Sequence, residues 1–375
     1  MKIGIISDTH EDKMKALQYI VRKEFLPRGV DLIIHCGDII PEHVNPEFFG
    51  NLPVICALTD EQETDCAEGR ADSLCPGAEP PDWRFTRPGK RIVQIGKISA
   101  YVGHKLSYDY WKSSKGEIYT KMYEIRKDHN NVRYLFAGHM HHQTLIESPL
   151  ISFINPGATE GAFGDAGGYE FATVDTDSGE IVFSRIKYPL PVKKPLRLGV
   201  ISDSFDVSEM NPSFWRKLAG KFREAGVTHI IHCGNISSED VGLDVLSDFQ
   251  VFYYLRPEQE RKARQPDNWM LIPIDPPIVE INGYRFLVDL TLSRKLLGKS
   301  EAETYSITSG ILKANPETNF ILTGFTQNAF LDEMQNIVVL NPGDIKNDQD
   351  YVIIDLPRYE ITFSHIQREP LPLLD

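Results

Sequence analysis

Cysteine is scarce in this chain: Cys36, Cys56, Cys66, Cys75 and Cys233 are the five in 375 residues, at irregular spacing. A disulfide framework of the kind that staples small secreted domains is excluded, and a reducing compartment is the simpler reading. Long apolar runs are lacking too. The N-terminal run is cut by Asp8, too short for the apolar region of a signal peptide, and no stretch reaches the roughly 18 residues of a membrane span. The expectation is a soluble cytoplasmic protein with no membrane partner. Positive charge is not in excess either: 40 Lys and Arg stand against 53 Asp and Glu, for a formal net charge of −13. That field repels a phosphate backbone at long range and argues against non-specific nucleic-acid binding. A small phosphorylated substrate stays compatible, because bound cations outweigh the overall field locally.

What the chain has instead is repetition. With 41% hydrophobic residues it carries enough apolar material for two packed cores. "IGIISDTHED" near the N terminus returns as "LGVISDSFDV", "DLIIHCGDI" (31–39) returns as "THIIHCGNI" (228–236), and "FINPGA" (153–158) returns as "VLNPGD" (339–344). The separation of matched positions changes only in steps, as two copies differing by a few loop insertions require. Between the copies, "KYPLPVKKPLR" (187–197) has prolines that disfavour helix and basic residues that favour solvent. It reads as a linker between a domain over residues 1–190 and a second over residues 195–375.

Short β-rich runs such as "KIGIIS", "DLIIHC", "RYLFAG" and "LISFIN" end in polar or glycine-containing turns. Between the first two, "DKMKALQYIVRKEF" places Met14, Leu17, Ile20 and Val21 at helical spacing. A strand-helix-strand unit follows, hence an α/β fold with parallel strands and ligands at their carboxyl ends. At those ends the first copy places Asp8 and His10 ("SDTH"), Asp38 ("HCGD"), Asp60 ("LTDEQ"), His104 ("VGHK") and His139, His141 and His142 ("GHMHH"). Oxygen and imidazole donors at successive strand ends are what two neighbouring divalent cations require.

The order D-x-H, G-D, an Asn-type ligand, a lone His, G-H-x-H and N-P-G resembles the calcineurin-like metallophosphoesterases, in particular their small bacterial and archaeal phosphodiesterase branch. The resemblance covers nearly the whole first copy and implies a four-layer αββα sandwich, so that with the internal repeat the expectation is two such domains in tandem. It also implies a dinuclear site in which one metal takes Asp8, His10, Asp38 and His141. The other shares Asp38 and takes Asp60, His104 and His139. The implied activity is phosphoester hydrolysis, of diesters above all, by a hydroxide bridging the two ions and attacking phosphorus in line. Manganese is the ion suggested by the resemblance; iron and zinc also suit mixed nitrogen and oxygen donors.

Departures from the family pattern are informative. Asp60 stands where Asn is usual, with Leu58 as the alternative register, and the His that would follow as general acid is replaced by Glu61 and Gln62. Leaving-group protonation then falls to water, to His142 or to another group. The segment from Glu61 to Arg91 reads as a lid over the site or as a surface insertion. His35, repeated as His232, is expected to be structural, whereas His43, His129 and His365 match no motif and are expected to face solvent. Asn155 and Asn341 hold a turn or serve the site.

The second copy replaces His10 by Phe205, Asp38 by Asn235, Asp60 by Pro257, His104 by Leu290, His139 by Phe325 and His141 by Gln327, keeping only Asp203. It reads as a domain without metals, either a buttress in an intramolecular pseudo-dimer or a binding surface; a further homo-oligomer stays open. The alternative function is a non-catalytic scaffold, since a retromer subunit of this fold serves chiefly as a binding platform. The complete ligand set of the first copy favours the enzyme.

Overall fold

A computed structural model describes residues 1–9, 14–40, 43–68, 79–87, 89–106, 113–159, 168–187, 193–204, 212–236, 243–255, 266–326, 328–334 and 337–366. His10, Phe205, Pro257 and Gln327 lie outside the described residues, as does Cys75. The described residues form two compact units, 1–113 with 117–187, and 114–116 with 193–366.

The first unit is mixed α/β. Its strands are β1 (Lys2–Ile6), β2 (Leu32–His35), β3 (Val54–Ala57), β4 (Trp83–Thr86), β5 (Ile92–Ile95), β6 (Ile98–Val102), β7 (Val132–Phe136), β8 (Gln143–Glu147), β9 (Ser152–Pro156), β10 (Gly168–Asp175) and β11 (Ile181–Lys187). One run of neighbours is β11-β10-β1-β2-β3-β4, and another is β8-β9-β7-β6-β5. β1 to β4 pair in parallel, as do β6, β7 and β9. Ile3, Ile5, Ile6, Ile33 and Ile34 are buried, which explains why these strands read as continuous apolar runs rather than alternating ones.

The expected helix runs over Met14–Tyr19 and continues as a wider π-helical turn, Ile20–Phe25. Pro27 occupies the first turn of the three-residue helix that follows, and Gly29, at φ 70°, ends it in the left-handed conformation. Leu17, Ile20, Val21 and Phe25 are buried against Ile6, Ile33 and Val54 of the first sheet. Burying Phe25 contributes about 2–3 kcal/mol. Gly4 of β1 makes room for it: a Cβ there would lie 2.6 Å from the Phe25 ring. On the second sheet the helix Lys115–Asp128 buries Ile118 and Met122 against Leu135 and Phe153.

The second unit has β12 (Leu196–Ile201), β13 (His229–His232), β14 (Gln250–Tyr253), β15 (Trp269–Leu271), β16 (Ile278–Ile281), β17 (Tyr284–Val288), β18 (Phe320–Leu322), β19 (Phe330–Met334), β20 (Ile337–Asn341), β21 (Asp350–Leu356) and β22 (Glu360–His365). Their orders, β22-β21-β12-β13-β14-β15 and β19-β20-β18-β17-β16, repeat those of the first unit strand for strand. The helix Pro212–Glu224 sets Phe222 against Gly199, where a Cβ would lie 2.8 Å from the ring. This matches Phe25 on Gly4.

Three expectations change. Within Glu61–Arg91 the described residues form a helix, Asp60–Ala67, and strand β4, which extends the parallel sheet beyond β3. That part of the segment is fold rather than lid. His43 is buried, its Nδ1 lying 3.0 Å from the Thr9 carbonyl oxygen. His365 is nearly covered as well and pairs with Asp350 across the β21–β22 ladder. Both rings have polar partners that compensate their burial, which a motif search does not register. No described helix is long and apolar enough to cross a membrane. Cys36, Cys56 and Cys233 are buried free thiols.

Candidate metal centre

Each described candidate ligand follows a strand's carboxyl end by a few residues: Asp8 after β1, Asp38 after β2, Asp60 after β3, His104 after β6, His139 and His141 after β7. Parallel pairing carries these ends to one edge of each sheet. Asp8, Asp38, His139 and His141 adopt left-handed backbone, at φ 54°, 57°, 73° and 56°. Asp and His are among the residues that tolerate this region best. The loops are laced together by Asp8 N–H to Gly37 O (3.1 Å), Thr9 N–H to Asp38 O (3.1 Å) and Gly138 N–H to His104 O (3.0 Å).

Two motif glycines permit the approach. A Cβ on Gly37, at φ 101°, would lie 2.7 Å from the His104 Cβ. One on Gly138 would lie 1.8 Å from Ser7 Oγ and 3.0 Å from Asp8 Oδ2.

Ligand atoms of Asp8, Asp38 and His104 lie within 4.8 Å of one another. Asp8 is fully buried. Its Oδ2 accepts the His139 N–H at 3.1 Å. Its Oδ1 has no hydrogen-bond donor among the described residues and lies 3.3 Å from His141 Nε2. The Nδ1 of His104 is 3.1 Å from the Cys36 carbonyl oxygen. A carbonyl only accepts, so Nδ1 carries the hydrogen and Nε2 presents its lone pair. The rings of His104 and His139 stand 5.0 Å apart, edge to face.

Burial would raise the Asp8 carboxyl, but the His141 contact and the His104 and His141 charges overcome it and hold the group at about 2. Burial, aided by His104, Lys105 and His141, pushes His139 down to about 4. An ionised Asp8 carboxylate beside a neutral His139 imidazole is the protonation state that metal ligands need. A buried carboxylate oxygen without a donor, a lone-pair imidazole nitrogen and mixed O/N donors fit a divalent transition-metal ion.

Asp60 lies outside that trio. It opens the helix Asp60–Ala67, with Oδ1 3.5 Å from Arg91 Nη2, and Arg91 Nη1 donates to Leu58 O at 2.8 Å. Thr59 and Gln62 form a reciprocal cap: Gln62 N–H to Thr59 Oγ1 at 3.1 Å, Thr59 N–H to Gln62 Oε1 at 2.9 Å. Gln62 Nε2 also donates to Ile39 O at 2.7 Å, tying the helix start to the loop of Asp38. The capping signal T-x-x-Q was present in "TDEQ". His142 is likewise outside the trio, its Nδ1 2.7 Å from Met140 O.

His35 uses both ring nitrogens, Nδ1 accepting Gly37 N–H at 3.2 Å and Nε2 bonded to Thr9 Oγ1 at 2.9 Å. It holds the loop. Asn155 does the same for the Asn-Pro-Gly turn, accepting Gly157 N–H at 2.9 Å and donating to Gly138 O at 3.0 Å.

In the second unit Asp203 and Asn235 keep the left-handed backbone, at φ 59° and 57°, and Phe325 keeps it at 70°. Here the carboxylate is satisfied. Oδ1 accepts Asn235 Nδ2 at 2.8 Å, and Oδ2 accepts Ser202 Oγ at 2.8 Å and Phe325 N–H at 3.0 Å. Burial raises the Asp203 carboxyl despite these bonds. Leu290 packs on Gly234 as His104 packs on Gly37. Among the described residues this unit alone brings no three ligand side chains together.

Residues 1–179 match the family model described as the calcineurin-like phosphoesterase superfamily domain. No curated protein matches the chain. Similar solved structures include a novel archaeal phosphodiesterase, 18% identical over 45% of this chain and 98% of that one, at TM-score 0.33. Another is the phosphoesterase YfcE from E. coli, 17% identical over 49% and 91%, at 0.31. A third is vacuolar protein sorting 29 from Cryptosporidium parvum, 14% identical over 50% and 91%, at 0.33.

Proposed function

From the premise that residues 1–179 belong to the calcineurin-like phosphoesterase superfamily, we propose that the chain is a metal-dependent phosphoesterase acting on phosphodiesters. The observation that carries this reading is the convergence of Asp8, Asp38 and His104, with Asp8 Oδ1 buried and lacking a donor. Asp8, His10, Asp38, Asp60, His104, His139 and His141 would hold two divalent transition-metal ions, manganese before iron or zinc. Bound ions supply Lewis-acid activation of water and neutralise charge on the phosphoryl oxygens.

The chain's own part is positioning. The Cys36 carbonyl fixes the His104 tautomer, His141 and His104 keep Asp8 ionised, and the loop of Asp38, left-handed at that residue, brings its carboxylate to Asp8 and His104. The leaving-group proton comes from water or from His142. The second unit is read as a degenerate copy of the same module that binds no metal, which the Asn235 amide on Asp203 supports.

The test is metal analysis of the purified full-length chain together with turnover of a chromogenic phosphodiester. About two ions per chain and metal-dependent turnover are expected. Turnover that survives complete chelation, or a chain that takes up no divalent ion, overturns the reading. The register at β3 has its own check: Asp60→Ala lowers metal content, whereas Leu58→Ala acts through packing alone. Equal metal content in wild type and Asp60→Ala removes Asp60 from the ligand set.

A further inference from the structure

We propose that the second unit carries a ligand site of its own beside the place of the lost metal centre, and that it takes a nucleoside monophosphate. A cavity of about 770 Å³ opens there, lined by Tyr254, Ile274, Leu290, Arg294, Lys295 and Phe325 among others. Its volume falls in the range of small-molecule sites, roughly 300–1,000 Å³. Leu290 and Phe325 are the residues that stand in the positions of His104 and His139, so the cavity occupies the corresponding strand ends of a unit that binds no metal by its own ligands.

Phe325 is the first sign of use. It holds a left-handed backbone, φ 70°, which a bulky aromatic residue rarely adopts, and the residue is 37% exposed. The strain is therefore not offset by full burial of the ring, and a glycine would relieve it. A strained, half-presented aromatic ring on a cavity wall is an arrangement for stacking a flat ligand.

Charge supplies the second sign. The Asp289 carboxylate on the cavity wall is already engaged: Oδ1 accepts the Thr291 N–H and hydroxyl, each at 2.9 Å, and Oδ2 lies 3.5 Å from Lys295 Nζ. Arg294 has no carboxylate partner among the described residues, and its guanidinium carbon lies 5.8 Å from the centre of the Phe325 ring. A guanidinium with no carboxylate partner among the described residues thus stands at an aromatic wall in a chain of net charge −13. The complement is a planar aromatic body that carries an anion, and a guanidinium matches a phosphate in bidentate geometry. A volume of about 770 Å³ suits a small molecule.

The inference is independent of catalysis in the first unit, and the experiment keeps the two apart. Adenosine 5′-monophosphate, adenosine and inorganic phosphate are titrated calorimetrically into the chelator-treated full-length chain, so that metal-borne phosphate binding is absent. Saturable binding of the nucleotide is expected, with adenosine and phosphate each weaker by about tenfold or more. Arg294→Ala should erase the preference for the nucleotide over the nucleoside, and Phe325→Ala should weaken both. Phe325→Gly relieves the backbone strain and still loses the ligand, which guards against a trivial folding defect. Phosphodiester turnover of the metal-loaded variants should stay at the wild-type level. No binding at about 1 mM nucleotide, or equal affinity in wild type, Arg294→Ala and Phe325→Ala, overturns the proposal.

Discussion

Asp8 and Asp203 occupy the same turn after the same strand, with φ 54° and 59°, yet they sit in opposite electrostatic environments. Around Asp8 the neighbours are imidazoles, one carboxylate oxygen has no donor, and the group is held at about 2. Around Asp203 an asparagine amide, a serine hydroxyl and a backbone N–H fill the carboxylate, and burial raises it. The left-handed turns and close-approach glycines recur in both units although the imidazoles do not, because they also serve the fold. Gly37 and Gly234, like Gly138 and Gly324, face the next layer with no room for a Cβ in either unit. What distinguishes the units is a handful of side chains at strand ends.

The sharpest way to break the comparison is to make the first unit resemble the second at one atom. Asp38→Asn copies Asn235, whose amide donates to Asp203. The expected outcome is loss of metal at elemental analysis and a fall in phosphodiester turnover of about 10³-fold or more, with an unchanged circular dichroism spectrum. Wild-type turnover in this variant would remove the metal reading.

A smaller effect concerns pH. Burial pushes His232 down to about 3. The unfolded state, titrating near 6.5, then binds more protons than the folded state between those values. The stability contribution is full above about pH 6.5 and declines as pH falls toward 3, by at most about 5 kcal/mol. Acid unfolding followed by tryptophan fluorescence should be shallower for His232→Gln, and superimposable curves would show that this histidine does not set the acid limit.

Next comes a matched pair. Gly138→Ala places a Cβ 1.8 Å from Ser7 Oγ, and Gly324→Ala places one 2.0 Å from Ser202 Oγ. Each should lower stability by about 1–3 kcal/mol, but only Gly138→Ala should weaken metal binding if Asp8, as proposed, is a ligand and Asp203 is not. Weakened metal binding in Gly324→Ala would mean that the second unit contributes to the site. The smallest effect is a gain: Phe325→Gly should stabilise by about 1 kcal/mol in denaturant melts, by relieving φ 70°. A loss of that size would show that the ring is held for packing.

Much of the fold was readable from local pattern. Apolar runs ending in polar turns gave strands, and the spacing of Leu17, Ile20 and Val21 gave the helix that buries them. The three side chains that the structure brings together, Asp8, Asp38 and His104, were readable because residue type and chemistry coincide there. Reading failed where a residue's role depends on what comes near it from far along the chain. His43 looked like a surface histidine until Thr9 O stood 3.0 Å from its ring, and "TDEQ" was read for its Asp alone, whereas Thr59 and Gln62 also close a helix cap there.

The sequence by itself determined several strands, the helix after β1, the two-fold recurrence of motifs and which half carries the candidate ligands, because these follow from the periodicity and identity of neighbouring residues. Tertiary structure alone decided which ligands meet. Asp8 and His104 are distant in sequence and follow strands of different sheets, and only the approach of those strand ends, with no Cβ on Gly37 against His104, brings carboxylate and imidazole to one point. It also decided that Asp203 is satisfied and Asp8 is not, since a hydrogen bond depends on distance and direction, which no linear pattern carries.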